Sequence, residues 1–101
     1  MHTPDDVIAQ LRLTHFLDLQ GRAIEIDFGQ GPVPSEILSA TPVGGNTLRP
    51  GGGFSVMLRA PVATPAQGVY AIHHPELGVL ELMLSPRRQR SGVAEFELVM
   101  N

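Results

Sequence analysis

The stretch FSVMLRAPVATPAQGVYAIHHPELGVLELMLSPRRQRSGVAEFELVMN, residues 54–101, decides the fold. It holds four short runs in which side chains alternate in character, each closed by a turn signal. Phe54, Val56 and Leu58 alternate with Ser55, Met57 and Arg59. Residues 69–73 form a second run, turned by Pro75-Glu76-Leu77-Gly78. Residues 79–84 place Leu80, Leu82 and Leu84 on one face, and residues 93–100 set Phe96 and Leu98 opposite Glu95 and Glu97. Period-two alternation marks strands with one buried face. Residues 61–67, with Pro61 and Pro65, read as a connection, and residues 85–92 as a turn-bearing loop. Links this short favour sequential antiparallel pairing, so this half reads as a meander.

Working back toward the start, residues 23–28 alternate cleanly. Ile24, Ile26 and Phe28 point one way, Glu25 and Asp27 the other. Gly29 to Pro32 breaks this strand. Residues 34–43 are a weaker strand: Ile37 and Leu38 are adjacent, which leaves its facing open and a bulge as one way to resolve it. Residues 44–53, GGNTLRPGGG, are a Gly-rich loop. Cradling a phosphate there would need a following helix N-terminus or a lysine, and a strand follows instead. At the beginning, Thr3 can cap a helix, Pro4 suits its first position, and Asp5 and Asp6 favour its N-terminal dipole. Val7, Ile8 and Leu11 then give one apolar face to a short helix over about residues 4–12. Thr14 can cap one further turn ended by Gly21, with Phe16 and Leu19 placed to plug a barrel end. The whole reads as an all-β, six-stranded antiparallel small barrel (residues 13–101) with an N-terminal helical extension (residues 1–12), one domain in 101 residues. Closure would also remove exposed sheet edges.

Composition agrees with many short strands: 11 Gly and 9 Pro in the chain. The formal net charge is −3 and charged residues are 17%, which disfavours nucleic acid as a partner because phosphate binding needs a basic stripe. There is no Cys, hence no thiolate nucleophile and no cysteine zinc site. No apolar run approaches the length of a membrane span. The first residues carry no basic or apolar signal segment, so a cytoplasmic location is the default expectation, with export by a route that needs no cleavable signal left open.

The wording QGVYAIHHPELG (67–78), LELMLSP (80–86) and EFELVMN (95–101), with Phe54, Ser55, Leu58, Arg59 and Pro61 before it, resembles a small bacterial domain family of unknown function. Leu13, Thr14, Phe16, Leu19 and Gly21 extend the likeness over about residues 13–101. Ala60, Met83, Phe96 and Met100 depart from the usual family residues by small or apolar exchanges. The resemblance implies genes near phage-tail-collar-like (microcystin-dependent-like) proteins. It implies no activity, catalytic residue or cofactor.

Several groups of residues invite a chemical reading. His73 and His74 are adjacent on a strand and point to opposite faces, so they cannot readily share a metal, and His2 and His15 lack ligand spacing to them. His74 before Pro75 reads as a turn residue. Glu25/Asp27, Glu81 and Glu95/Glu97 are solvated strand acids. Ser35, Ser39, Ser55, Ser85 and Ser91 have no nucleophile-elbow context. The expectation is therefore a non-enzymatic protein with no catalytic, metal or cofactor residues, working through protein–protein contacts. Met57, Met83 and Val99, beside Val79, fall on the outward strand face, where they either form an interface or lie under the N-terminal helix. Val7, Ile8 and Leu11 of the helix are further interface candidates, as are Arg87, Arg88 and Arg90 of the 85–92 loop. The expected partners are further copies of the chain and a tail-collar-like protein. The alternative is a small-ligand or peptide site at one barrel mouth, using Arg59, Tyr70 and His74.

Overall fold

A computed structural model describes residues 5–44, 49 and 52–101. The Thr3 cap, the Pro4 helix start, His2 and most of the Gly-rich loop lie outside them. Among the described residues are two short helices, α1 (Asp5–Ala9) and α2 (Leu13–Leu17). Six strands follow: β1 (Ala23–Asp27), β2 (Pro32–Pro42), β3 (Phe54–Ala60), β4 (Gly68–His74), β5 (Gly78–Arg90) and β6 (Val93–Met100). They close into a barrel in the order β1-β2-β3-β6-β5-β4, antiparallel at every join. The six-stranded antiparallel barrel expected from the alternation is thus the observed fold.

The pairing departs from a simple meander at one link. β3 pairs with β6, from Phe54↔Met100 to Ala60↔Ala94, and β4 closes on β1. In this ring β3 and β4 stand diametrically opposite, so residues 61–67 must cross a barrel mouth. Seven residues can reach roughly 25 Å when extended, ample for the crossing. Two prolines also suit an extended link better than a tight hairpin. Val62 packs against the core from this link, and the Tyr70 hydroxyl donates to the Ala66 carbonyl at 2.6 Å, tying the link down.

The two halves of the ring follow one plan. β2 pairs with β1 through its first residues and with β3 through its last, turning at a bulge between Ile37 and Ser39. β5 likewise pairs with β4 first and β6 afterwards, with its irregularity between Pro86 and Arg88. Residues 85–90, expected in a loop, are therefore strand. The cause is the turn that follows: Ser91 and Gly92 both have positive φ, 54° and 80°, giving a two-residue hairpin whose twist matches the flanking strands. The first hairpin is fixed differently. The Asp27 carboxylate accepts from the backbone N–H groups of Gly29 and Gly31 at 2.7 and 3.2 Å, so Asp27 shapes its turn rather than standing as a plain outward acid.

Ile24, Ile26, Ile37, Val56, Leu58, Ile72, Leu80, Leu82, Leu84, Phe96 and Leu98 bury themselves in the barrel. One end is plugged by the N-terminal segment. Leu11, Phe16 and Leu19 are buried, and the Phe16 ring lies 5.8 Å from Phe54 and edge-on to His74 at 5.7 Å. Phe16 and Leu19 thus act as the plugs expected of them. The expected helix over 4–12 is instead α1, a break, and α2. α2 starts after Arg12, whose N–H is accepted by His15 Nδ1 at 2.9 Å, so Thr14 lies inside the helix and does not cap it. The break drives Leu11 into the core. Arg49, in the loop between β2 and β3, donates through one guanidinium nitrogen to the carbonyls of Ile8 (2.9 Å) and Leu11 (3.1 Å), occupying acceptors that a short helix leaves orphaned. At the other end Phe28 stacks on Phe96 at 5.2 Å and meets Tyr70 at 4.9 Å.

Emptying the Phe16 position should be costly because the plug has no substitute. Phe16→Ala is expected to lower the unfolding free energy by about 3–5 kcal/mol. Leu17→Ala, at a side chain 42% exposed, should change it by less than about 0.5 kcal/mol. Urea titration followed by circular dichroism measures both.

Candidate functional site

Alternation leaves half of every strand facing outward, and the outward residues differ sharply in character around the ring. On β4 and β5 they are Val69, Ala71 and His73 opposite Met83, Glu81 and Val79. Val69 is 59% exposed, Met83 48% and Val79 47%. Val99 on β6 is 44% exposed. Ser85↔Glu97 opens the β5·β6 ladder. Met83 comes two residues before Ser85 and Val99 two after Glu97, so both lie at that end of the ladder on the outer side. This is a largely apolar outer surface, with Glu81 the acid on its two strands and Glu76 in the turn that joins them.

The sequence candidates distribute as follows. Met83 and Val99 lie on this surface. Met57 is only half-buried on β3, opposite Ser39 and Glu97. Val7 and Ile8 are half-buried and packed against the core, and Leu11 is fully buried, so Leu11 belongs to the plug and offers nothing to a partner. Val69, the most exposed large apolar side chain among the described residues, carries no single sequence mark of its own. Its signal was present in the β4 alternation, where Ile72 faces in and Val69 must face out.

The arginines separate into two environments. Arg87 binds Glu97 through Nε and a terminal nitrogen, both at 2.8 Å, and Ser55 Oγ donates to the other carboxylate oxygen at 2.7 Å. This set joins β5, β6 and β3 across the outer surface. The Ser55 hydrogen bond first, and then Arg87, hold the Glu97 carboxyl below its usual range. Arg88 and Arg90 are exposed at the end of the β5–β6 hairpin. They belong to strand, not to the loop expected from sequence.

Arg59, Tyr70 and His74 do not share a mouth. Arg59 is exposed on the outer face and pairs with Glu36 at 2.7 Å. Tyr70 belongs to the aromatic cluster at the link end. β4 runs from that end to the plug end, where His74 is 4% exposed. Its Nε2 lies 2.7 Å from the His15 carbonyl and so carries the proton, while Nδ1 accepts from the N–H groups of Glu76 (3.1 Å) and Leu77 (3.3 Å). Both ring nitrogens are spent on the turn and on α2, which agrees with reading His74 as a turn residue and removes it from any ligand site. The three residues therefore cannot act together on one ligand.

Among the described residues no group of three or more His, Cys, Asp or Glu side chains is placed to hold a metal ion, and no helix is long and apolar enough to cross a membrane. Fold and surface together define a small β-barrel plugged at both ends, with its distinctive chemistry on the outside. The chain belongs to the DUF6916 family, a domain of unknown function whose model matches residues 11–100. That span takes in α2, the Leu11 plug and all six strands. No curated protein and no solved structure matches the chain.

Two measurements probe these contacts. His74→Ala leaves two N–H groups and a carbonyl short of a partner and should cost about 2–3 kcal/mol in urea titration. For Glu97 the folded carboxyl titrates below the ordinary value of 4.5. Its contribution is therefore present above that value and is lost as pH falls through the lowered one. Glu97→Gln should lose less than about 1 kcal/mol at pH 7, since the pair is partly exposed. The difference from the parent chain should shrink as the pH drops below 4.5.

Proposed function

We propose that this chain is a non-enzymatic assembly subunit that associates with further copies of itself through the outer face of the β4–β5 hairpin and the adjoining Val99. One observation carries the reading: Val69, Val79, Met83 and Val99 are each between 44% and 59% exposed on one side of the barrel. Large apolar side chains grouped this way mark partner surfaces. The helices that could have covered them sit on the barrel end instead, where Leu11, Phe16 and Leu19 are buried. Support for a ligand site inside a mouth is weaker, because aromatic and aliphatic side chains fill both ends. The resemblance to families encoded beside phage-tail-collar-like proteins supplies a second partner class, and a place in a tail-like or fibre-like assembly is the setting in which such a subunit would act.

The test is the oligomeric state. Size exclusion with light scattering between about 1 and 100 μM, the range where micromolar association shows, should give a mass above 10.9 kDa that rises with concentration. Val69→Glu with Met83→Glu should return the monomer without changing the circular dichroism spectrum. A parent chain that stays monomeric throughout, or a double variant that assembles as before, overturns the proposal.

A further inference from the structure

A second surface lies around the barrel from the apolar face, where the ends of β3 and of the β5–β6 hairpin meet. Arg59, Arg88, Arg90, Ser91, Val93 and Glu95 line a depression of about 360 Å³. Arg59 and Val93 also line its neighbour, a shallow groove of about 680 Å³ whose other walls are Ala23, Pro34, Ser35, Glu36, Ala60 and Pro61. The two adjoin at Arg59 and Val93 and are treated together as a trough, apolar in one half and arginine-lined in the other. The arginine half is open to a ligand. Among the described residues Arg88 and Arg90 have no ion-pair partner. Arg59 holds Glu36 only through a surface pair whose two side chains are 45% and 41% exposed, the kind that exchanges readily for another carboxylate.

We propose that this trough binds an extended peptide segment of a partner protein in which apolar residues are followed by acidic ones. The apolar residues lie along Ala23, Pro34, Ala60 and Pro61, and the carboxylates meet Arg59, Arg88 and Arg90. Guanidinium groups recognise carboxylates through paired hydrogen bonds, which fixes the direction of the chain in the trough. Three guanidinium groups against two carboxylates, Glu36 and Glu95, leave the site net positive on a chain whose formal charge is −3. A peptide fits better than a nucleic acid. No aromatic side chain lines the trough for base stacking. The binding uses neither Val69 nor Met83, so it stands apart from the assembly face.

The probe is a degenerate peptide pool with four positions drawn from Ala, Val, Leu and Pro, followed by four drawn from Asp and Glu. It is titrated into the ¹⁵N-labelled full chain carrying Val69→Glu and Met83→Glu, in parallel with a pool ending in Lys and Arg and with a single-stranded oligonucleotide. Amide shifts confined to the surroundings of Ala23, Arg59, Arg88 and Val93 are expected with the acidic pool alone. Arg88→Gln with Arg90→Gln should weaken that binding about tenfold, a difference of about 1.4 kcal/mol, while leaving the rest of the spectrum in place. No shift with the acidic pool, equal shifts with the basic pool, or stronger shifts with the oligonucleotide would each overturn the proposal.

Discussion

Closing six strands into a ring leaves two open ends over a buried apolar interior, and each end must be covered by something other than the sheet. The strand order makes one cover unavoidable: with β3 and β4 on opposite sides of the ring, the connection between them has to pass over the mouth. Residues 61–67 do this, held by Val62 in the core and by the Tyr70–Ala66 hydrogen bond. The opposite mouth has no such obligatory crossing and takes the N-terminal segment, whose Leu11, Phe16 and Leu19 are all buried.

That use of the helices determines what the rest of the surface can do. A short helix is not stable alone and has one apolar face to satisfy. Once α1 and α2 are committed to the barrel end by Phe16, by His74 on the His15 carbonyl and by Arg49 on α1, nothing in the described chain remains to shield the outward side chains of β4 and β5. The surface chemistry then sorts by strand. An apolar face lies over the β4–β5 hairpin, and an arginine-lined trough lies at the far end of β5 and β6. The Ser55–Glu97–Arg87 set bridges β3, β6 and β5.

Much of this was legible in the residues. Alternation is local, and it placed all six strands and the inward set almost entirely, while leaving the facing around Ile37 and Leu38 open until the pairing showed a bulge there. The parts that stayed hidden depend on contacts distant in sequence. No local feature tells β3 to pair with β6 and not β4. The turn expected within residues 85–92 narrows to Ser91-Gly92, because the charges at Arg87, Arg88 and Arg90 resemble a solvated loop more than the strand they form. Arg49 lies in a Gly-rich loop and owes its role to α1, some forty residues earlier. Of the surface candidates, Met83 and Val99 followed from simple parity. Leu11 did not, because nothing local says whether the apolar face of the N-terminal segment covers its own barrel or a neighbour. Arg59, Tyr70 and His74 share a polar character but not a location, and parity cannot reveal which end of a strand a residue occupies.

The most direct measurement of this arrangement is a dilution series of methyl spectra on the full chain, labelled at Met, Leu and Val. If the N-terminal segment plugs its own barrel while the outer face associates, the methyl signals of Val69, Val79, Met83 and Val99 shift with concentration and those of Leu11 and Leu19 stay fixed. Concentration-dependent shifts at Leu11 and Leu19, with the outer methyls unchanged, would mean that the helices dock on a neighbour and that the outer face has no partner, contradicting the account at its centre.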